Sequence, residues 1–216
     1  MKRSKITILL AIVLGMTFHS CLDLEPQDQL GGKNMWTSVN DYKQFANTFY
    51  SWTRDFSSVV YDGTHSDKRS DLITYQSYNE FSRGINSIPS SDANYTDNYK
   101  HIRRTNLLLQ NAEAYAKPED IKQYIGEAYF FRAYSYFDLL QLYGDVIITK
   151  KPLDITDPEM KVKRNDRSEV VDLIIDDLNH AVENLPAFKE LTTEEEGRIS
   201  KEGAQAFLSR VALYEG

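Results

Sequence analysis

Apolar and polar residues are ordered along this chain so that a short greasy run comes first and five segments of helical period follow, interrupted by one irregular stretch. The first run, Ile6 to Phe18, is preceded by Lys2-Arg3-Ser4-Lys5 and ends at His19-Ser20-Cys21. Beyond residue 37 the period changes to that of an amphipathic helix. Ser38 is placed to cap a first helix, with Asp41 three residues on, and Val39, Tyr42, Phe45, Ala46, Phe49 and Trp52 recur at helical spacing. From Ser57 to about Ser91 the pattern breaks into Ser, Asp, Asn and Gly, yet Tyr61, Tyr75, Tyr78 and Phe81 punctuate it. Irregular stretches of that length are uncommon in compact domains and are often functional.

A second helix is expected from about Asn94 to Ala116, with Tyr95, Tyr99, Ile102, Asn106 and Leu109 on one face. Pro118 suits the first turn of a third, which ends near Tyr143 with Gly144 beyond it. That third helix is apolar on two faces: Ile121, Tyr124, Ile125, Ala128, Phe131, Leu139 and Leu142 on one, Tyr129, Phe130, Ala133, Phe137 and Leu140 on the other. A helix apolar nearly all round is buried between neighbours. Val146-Ile147-Ile148-Thr149 reads as a short extended piece. A fourth helix from about Ser168 to Leu185 buries Val170, Leu173, Ile174, Leu178 and Ala181 before Pro186 stops it. Glu194-Glu195-Glu196-Gly197 is a solvated turn, and a fifth helix starts after Ser200 and runs to the end of the sequence.

An internal repeat ties these elements together. Ala128-Tyr129-Phe130-Phe131-Arg132 with Tyr136 matches Ala206-Phe207-Leu208-Ser209-Arg210 with Tyr214 at a constant offset of 78 residues. Two helical hairpins of about 39 residues each give that offset, close to the period of tetratricopeptide-like units. Such units bury their faces only against neighbours, so a chain stopping at Tyr214-Glu215-Gly216 is expected to be cut short. The fold class that follows is all-α: tetratricopeptide-like helical hairpins with an irregular, loop-rich insertion.

Charge and cysteine content sharpen the picture. The basic start, the short apolar run and the small residue before Cys21 describe an export signal, and the run is too short for a spanning helix of about 20 residues. Cys21 at the cleavage point is the candidate lipidation residue, since acyl chains on a terminal cysteine anchor a protein to a membrane. Phe18 stands three residues before it where Leu is commoner, and an ordinary secreted protein with a single cysteine is the other reading. The domains expected are therefore a signal peptide over 1–20, a lipidated tether over 21–37 and a helical domain over 38–216. The leader holds three of the 25 basic residues and none of the 32 acidic ones, which leaves the mature chain at a net charge of −10. A body this acidic is a poor partner for nucleic acid, whose binding rests on neutralising phosphates.

Searching for chemistry turns up more absences than sites. The sequence has neither G-x-x-x-x-G-K-[ST] nor G-x-G-x-x-G, no H-E-x-x-H, no C-x-x-C and no G-x-S-x-G. His65, His101 and His180 stand far apart at no metal-ligand spacing, so no metal or cofactor is expected. His65-Ser66-Asp67 are adjacent, a poor arrangement for a catalytic triad. Asp92, Asn94, Thr96 and Asn98 alternate like a calcium loop but lack its glycine and closing Glu, so a loop and helix cap is the better reading. Asp176-Asp177 reads as a solvated helix edge, and Glu127, Arg132 and Asp138 on the buried third helix call for interhelical partners. What remains is polar and aromatic. Sugars are held by rings that cover their C–H faces and by amides and guanidinium groups that read their hydroxyls. Tyr75, Tyr78, Asn79, Phe81 and Arg83 bring those groups to the irregular stretch, and Tyr95 and Asn98, three apart at a helix start, are expected to share a face.

Taken in order, several segments resemble the SusD/RagB family of nutrient-binding outer-membrane lipoproteins. They are Cys21 with Leu24-Glu25-Pro26, Tyr99-x-x-Ile102-x-x-x-Asn106, and Gly126-Glu127-Ala128-x-Phe130-x-Arg132-Ala133-x-x-Tyr136-Phe137. Leu142-Tyr143-Gly144-Asp145-Val146, Arg167-Ser168-Glu169-Val170, Asp177-Leu178-x-x-Ala181 and Leu185-Pro186 follow. Gly197-Arg198-x-Ser200-Lys201 and Ala206-x-Leu208-x-Arg210-Val211-x-Leu213-Tyr214 close the run. The resemblance implies a non-enzymatic, lipid-anchored protein on the outer face of a Bacteroidetes-type outer membrane. Such a protein binds a glycan, or sometimes a peptide, and caps a SusC-like TonB-dependent porin. It also implies that the C-terminal half of the family fold is absent, since members are more than twice this length, and it favours Tyr95 and Asn98 as ligand contacts. A helical-repeat scaffold that docks a protein partner, and a hydrolase using paired carboxylates that meet only in space, remain as other readings.

Overall fold

The computed structural model describes residues 35–54, 72, 80, 82–154 and 156–216. The leader, Cys21, the tether as far as residue 34, His65-Ser66-Asp67 and the candidates Tyr75, Tyr78, Asn79 and Phe81 lie outside the described residues. Five α-helices make up the unit Trp36–Gly216: α1 Val39–Asn47, α2 Ala93–Glu113, α3 Lys122–Tyr143, α4 Arg167–Asn184 and α5 Lys201–Glu215. The all-α expectation holds, and among the described residues the only β pairing is a single antiparallel bridge between Val146 and Asn165.

Helices α1, α2 and α5 start where a side chain satisfies free N–H groups. Ser38 and Asp41 form a reciprocal capping box at α1, the Ser38 N–H donating to Asp41 Oδ2 at 2.8 Å and the Asp41 N–H to Ser38 Oγ at 3.3 Å. The helical spacing to Trp52 does not continue as one α-helix, because Thr48–Trp52 tightens into a 3₁₀ turn. The hydroxyls of Thr48, Ser51 and Thr53 each donate to a carbonyl three residues back, drawing those carbonyls away from the α-helical pattern. Asp92 caps α2, accepting from the Asn94 N–H at 2.9 Å, so the alternating Asp/Asn run is a helix cap. The buried face of α2 is Asn98, Ile102, Thr105, Asn106, Leu108 and Ala112; Leu108 takes the inward place expected of Leu109, while Tyr95 and Tyr99 lie half-buried at its edge.

Helix α3 is the axis of the fold. Pro118–Ile121 forms a 3₁₀ entry, and Gly144 ends the helix at φ +69°, a conformation that favours glycine. Buried residues surround it, as its two apolar faces predict, because α1, α2 and α4 all pack on it. The α2–α3 pair is antiparallel, with Asn98 joined to Asp138, Asn106 to Arg132, and the Tyr143 hydroxyl to Asp92 Oδ2 at 2.7 Å. That hydroxyl, more than any other group, holds the Asp92 carboxyl below the usual carboxylate range.

All three charges predicted to need partners on α3 have them. Glu127 takes a forked pair of bonds from Arg198 at 2.8 and 2.6 Å, Arg132 pairs with Asp177, and Asp138 pairs with Arg54 and Asn98. One expectation fails here: Asp177 is not part of a solvated edge. It is buried on α4 and meets Arg132 through both carboxylate oxygens, and Asp176 alone faces water.

Helix α5 packs against α4 and reaches α3 through rings, Phe207 lying 5.5 Å from both Phe130 and Phe137. It buries only Ala204 and Val211. The repeated motif is thus buried in α3 at every position but the half-buried Tyr129, and at no position in α5, where Arg210 is exposed while Arg132 is buried. No helix among the described residues is long and apolar enough to cross a membrane, and no group of three or more His, Cys, Asp or Glu side chains there is arranged to hold a metal.

Candidate functional site

Segment 146–153, bent at Lys150 and Lys151, crosses the α2–α3 pair with the Val146–Asn165 bridge as its backbone pairing, so side chains take the rest of a neighbouring strand's place. The Tyr99 hydroxyl donates to the Ile147 carbonyl and accepts from the Ile147 N–H, both at 2.9 Å. The Tyr136 hydroxyl accepts from the Thr149 N–H at 2.7 Å, and Asn106 Nδ2 donates to the Thr149 and Lys151 carbonyls at 2.9 and 3.3 Å. Burial first, then the neighbouring Tyr95, push the Tyr99 phenol far above its ordinary pKa.

Held this way, the segment presents alternate side chains to one side, the period of two of an extended chain. Ile147, Thr149, Lys151 and Leu153 face a groove of about 540 Å³, and Ile148 lines a separate cleft on the other side. The facing wall comes from α2, where Tyr95, Tyr99 and Arg103 stand four residues apart beside Thr96 and Lys100, and Glu159 closes one end. The Tyr95 ring lies 4.9 Å from Tyr99 and meets Tyr143 edge-on at 5.2 Å, giving a fixed aromatic platform. Three cations line the same groove: Lys100 bonded to Asp97 at 2.7 Å, Lys151 to Glu159 at 2.7 Å, and Arg103 near Asp154 at 3.6 Å with its Nε donating to the Leu153 carbonyl at 3.1 Å.

On the other flank of α2 lies a smaller concavity of about 190 Å³, lined by Trp52, Arg54, Asn94, Asp97, Asn98, His101, Tyr134 and Asp138. Trp52 stacks on His101 with centroids 4.1 Å apart and planes 16° from parallel. Burial lowers the pKa of His101 to about 4, with Arg104 and Lys100 adding to the effect and Asp97 opposing it.

The expectation that Tyr95 and Asn98 share a face meets a different arrangement. A three-residue step turns the helix by about 300°, and here it carries Asn98 over the crest of α2 into the smaller concavity. Asn98 is only 7% exposed there, its amide donating to the Asn94 carbonyl and to Asp138 Oδ2 at 2.8 Å each. Tyr95 alone of the pair faces the larger groove. Arg83 lies in an exposed turn closed by the Ile85 N–H to Glu80 carbonyl bond, and it lines neither concavity. Sequence reasoning missed Tyr99, Lys100, Arg103 and Lys151 as groove residues. Stepping by four from Tyr95 finds Tyr99 and Arg103, but nothing local in the sequence places Lys151 opposite them.

Comparison with known proteins agrees with this fold. A SusD-like family model, described as starch-binding and associating with the outer membrane, matches residues 22–213. Two SusD-like proteins of Formosa agariphila, P38 and P2, are each 28% identical to the chain over 233 aligned residues, and the match spans 42% and 44% of their lengths. The chain therefore covers less than half the length of the curated relatives it matches. Among solved structures, a SusD-like protein of Bacteroides fragilis superposes with a TM-score of 0.67 at 25% identity, over 88% of this chain and 37% of that one. A laminarin-binding SusD-like protein superposes with a TM-score of 0.56 at 31% identity, over 63% of this chain and 29% of that one. With the family match running through the helices just described, the chain belongs to the SusD-like family.

Proposed function

We propose that this protein is a cell-surface glycan-binding lipoprotein, anchored through Cys21, that captures oligosaccharide or polysaccharide and passes it to a SusC-like TonB-dependent porin. Its part in uptake is binding, with no catalytic step of its own. The observation that carries this reading is the family match over residues 22–213, whose description is of starch binding at the outer membrane. The laminarin-binding relative supports a saccharide ligand, and the Tyr95–Tyr99 platform supplies the kind of surface a sugar ring packs on.

The test is the affinity of the purified protein for a panel of polysaccharides, measured by calorimetry with wild type and Tyr95→Ala. A saturable ligand is expected, and the substitution should weaken it by about 1–3 kcal/mol, the range for truncating an aromatic anchor. Unchanged affinity would remove Tyr95 from the site, and a panel without saturable binding would remove the glycan reading. An interaction scaffold built on the stacked helices α2 to α5 is the second reading. A stoichiometric protein partner together with an empty glycan panel would favour that scaffold.

A further inference from the structure

Resting on the glycan-binding reading of the groove, we propose that its preferred ligand is an anionic saccharide, one carrying uronate carboxylates or sulfate esters. Lys100, Arg103 and Lys151 would hold those groups above the Tyr95–Tyr99 platform. The argument is one of donors against acceptors. A neutral sugar hydroxyl donates and accepts, so a site built for it needs both kinds of partner, whereas a carboxylate or sulfate only accepts. Lysine and arginine side chains carry donors and no acceptor. Three such cations line this groove against one carboxylate, Glu159.

The backbone carbonyls of the Ile147–Thr149 wall are already engaged, which leaves hydroxyls as the acceptors open to a ligand. The Ile147 carbonyl takes the Tyr99 hydroxyl, and the Thr149 carbonyl takes both Asn106 Nδ2 and the Tyr136 hydroxyl. Arg103 uses Nε on the Leu153 carbonyl, which orients the rest of its planar fork. The carboxylates that now neutralise the cations, Asp97, Asp154 and Glu159, are half or more exposed. Exposed pairs of this kind are weak, so an anionic ligand that brings several charges along one chain displaces them readily.

A mature charge of −10 argues the other way, but only at long range. Exposed charges beyond a Debye length of about 8 Å are screened at physiological salt, and the contact region is set by the lining. The cation excess of this groove does not extend into the neighbouring cleft. Past Glu159, the adjoining cleft sets Asp166 and Glu169 against Lys163 and Arg164.

The experiment compares a neutral glucan, polygalacturonate, a sulfated galactan and polyglutamate as ligands of the purified protein, each at low and at physiological salt. Wild type, Tyr95→Ala and the triple variant Lys100→Gln/Arg103→Gln/Lys151→Gln are measured side by side. At least one charged polysaccharide should bind about tenfold or more tighter than the neutral glucan at low salt, with the advantage shrinking as salt rises. The triple variant should lose that advantage while keeping the wild-type unfolding midpoint, and Tyr95→Ala should weaken the charged polysaccharide as well. Whether the uronate or the sulfate polymer binds tighter identifies the charged group. Neutral glucan binding as tightly, without salt dependence, overturns the anionic preference and leaves glycan binding standing. Polyglutamate binding as tightly as either charged polysaccharide overturns a saccharide-specific site. Failure of every polysaccharide overturns this proposal and the glycan reading together.

Discussion

Arg132 stands between α2 and α4, 6% exposed, with Nε and Nη2 on the two oxygens of Asp177 at 2.8 and 2.6 Å and Nη1 on Asn106 Oδ1 at 2.7 Å. Asn106 in turn holds the Thr149 and Lys151 carbonyls, so one guanidinium ties three helix-bearing parts of the chain to the groove floor. Removing one partner of a buried pair leaves the other charge uncompensated. Arg132→Ala should therefore lower stability by about 3–5 kcal/mol in urea unfolding, and Arg132→Met with Asp177→Leu should recover a large part of it. A loss under 1 kcal/mol for Arg132→Ala would show that water reaches the pair. His101 makes a separate prediction, in pH. Its native pKa of about 4 lies below the 6.5 of the free side chain, so its contribution to stability is complete above pH 6.5. As pH falls from 6.5 towards 4 the unfolded chain takes up a proton that the native state refuses, and that contribution is lost. The ring is half-buried, which makes the effect shallow. The wild-type midpoint should drop more between pH 7 and pH 5 than that of His101→Gln, and parallel slopes would refute the assignment.

Where two helices meet, the smallest residues decide how closely they can pack. A Cβ added at Gly126 of α3 would lie 2.9 Å from Leu185 Cγ, 3.0 Å from the Leu185 nitrogen and 3.1 Å from Asn184 Cβ. That nitrogen is fixed by its bond to the Ala181 carbonyl at the end of α4, so the backbone cannot step aside. At Gly203 of α5 the close neighbour is Ile199 Cδ1 at 2.6 Å, the mobile tip of a side chain. Alanine gains about 1 kcal/mol over glycine inside a helix, while overpacking costs about 1–3. Gly126→Ala should thus destabilise, and Gly203→Ala should be milder; the reverse order in paired thermal melts would contradict the packing described. Elements such as these were legible in the sequence because each boundary has local chemistry: Ser38, Asp92 and Ser200 as caps, Gly144 and Pro186 as stops. What misled was Asp177, whose polar neighbours suggest solvent until α3 is placed against it.

Over the whole molecule, burial is spread unevenly, and this gradient explains which features the sequence could reveal. The all-α hairpin stack follows from periodicity, since every helix but α5 hides a continuous face. The groove does not follow from it, because Tyr95 and Lys151 meet only after 146–153 is laid across α2 by the Tyr99, Tyr136 and Asn106 side chains. The same gradient predicts how the chain opens. Amides in α3 lie under α1, α2 and α4 and can exchange only when much of the fold is lost. Helix α5 buries Ala204 and Val211, leaves Leu213 to water, and is held at its far end by the partly exposed Arg167–Glu215 pair and the half-exposed Tyr214 ring. Its last two turns can therefore separate without disturbing the Glu127–Arg198 and Arg132–Asp177 pairs that hold the other helices. Native-state hydrogen exchange should show those turns exchanging faster than the middle of α3 by on the order of 100-fold, with α4 between them. Equal protection across α3 and α5 would mean that the helices unfold as one unit, and that ring contacts such as Phe137–Tyr214 hold α5 more firmly than its buried area implies.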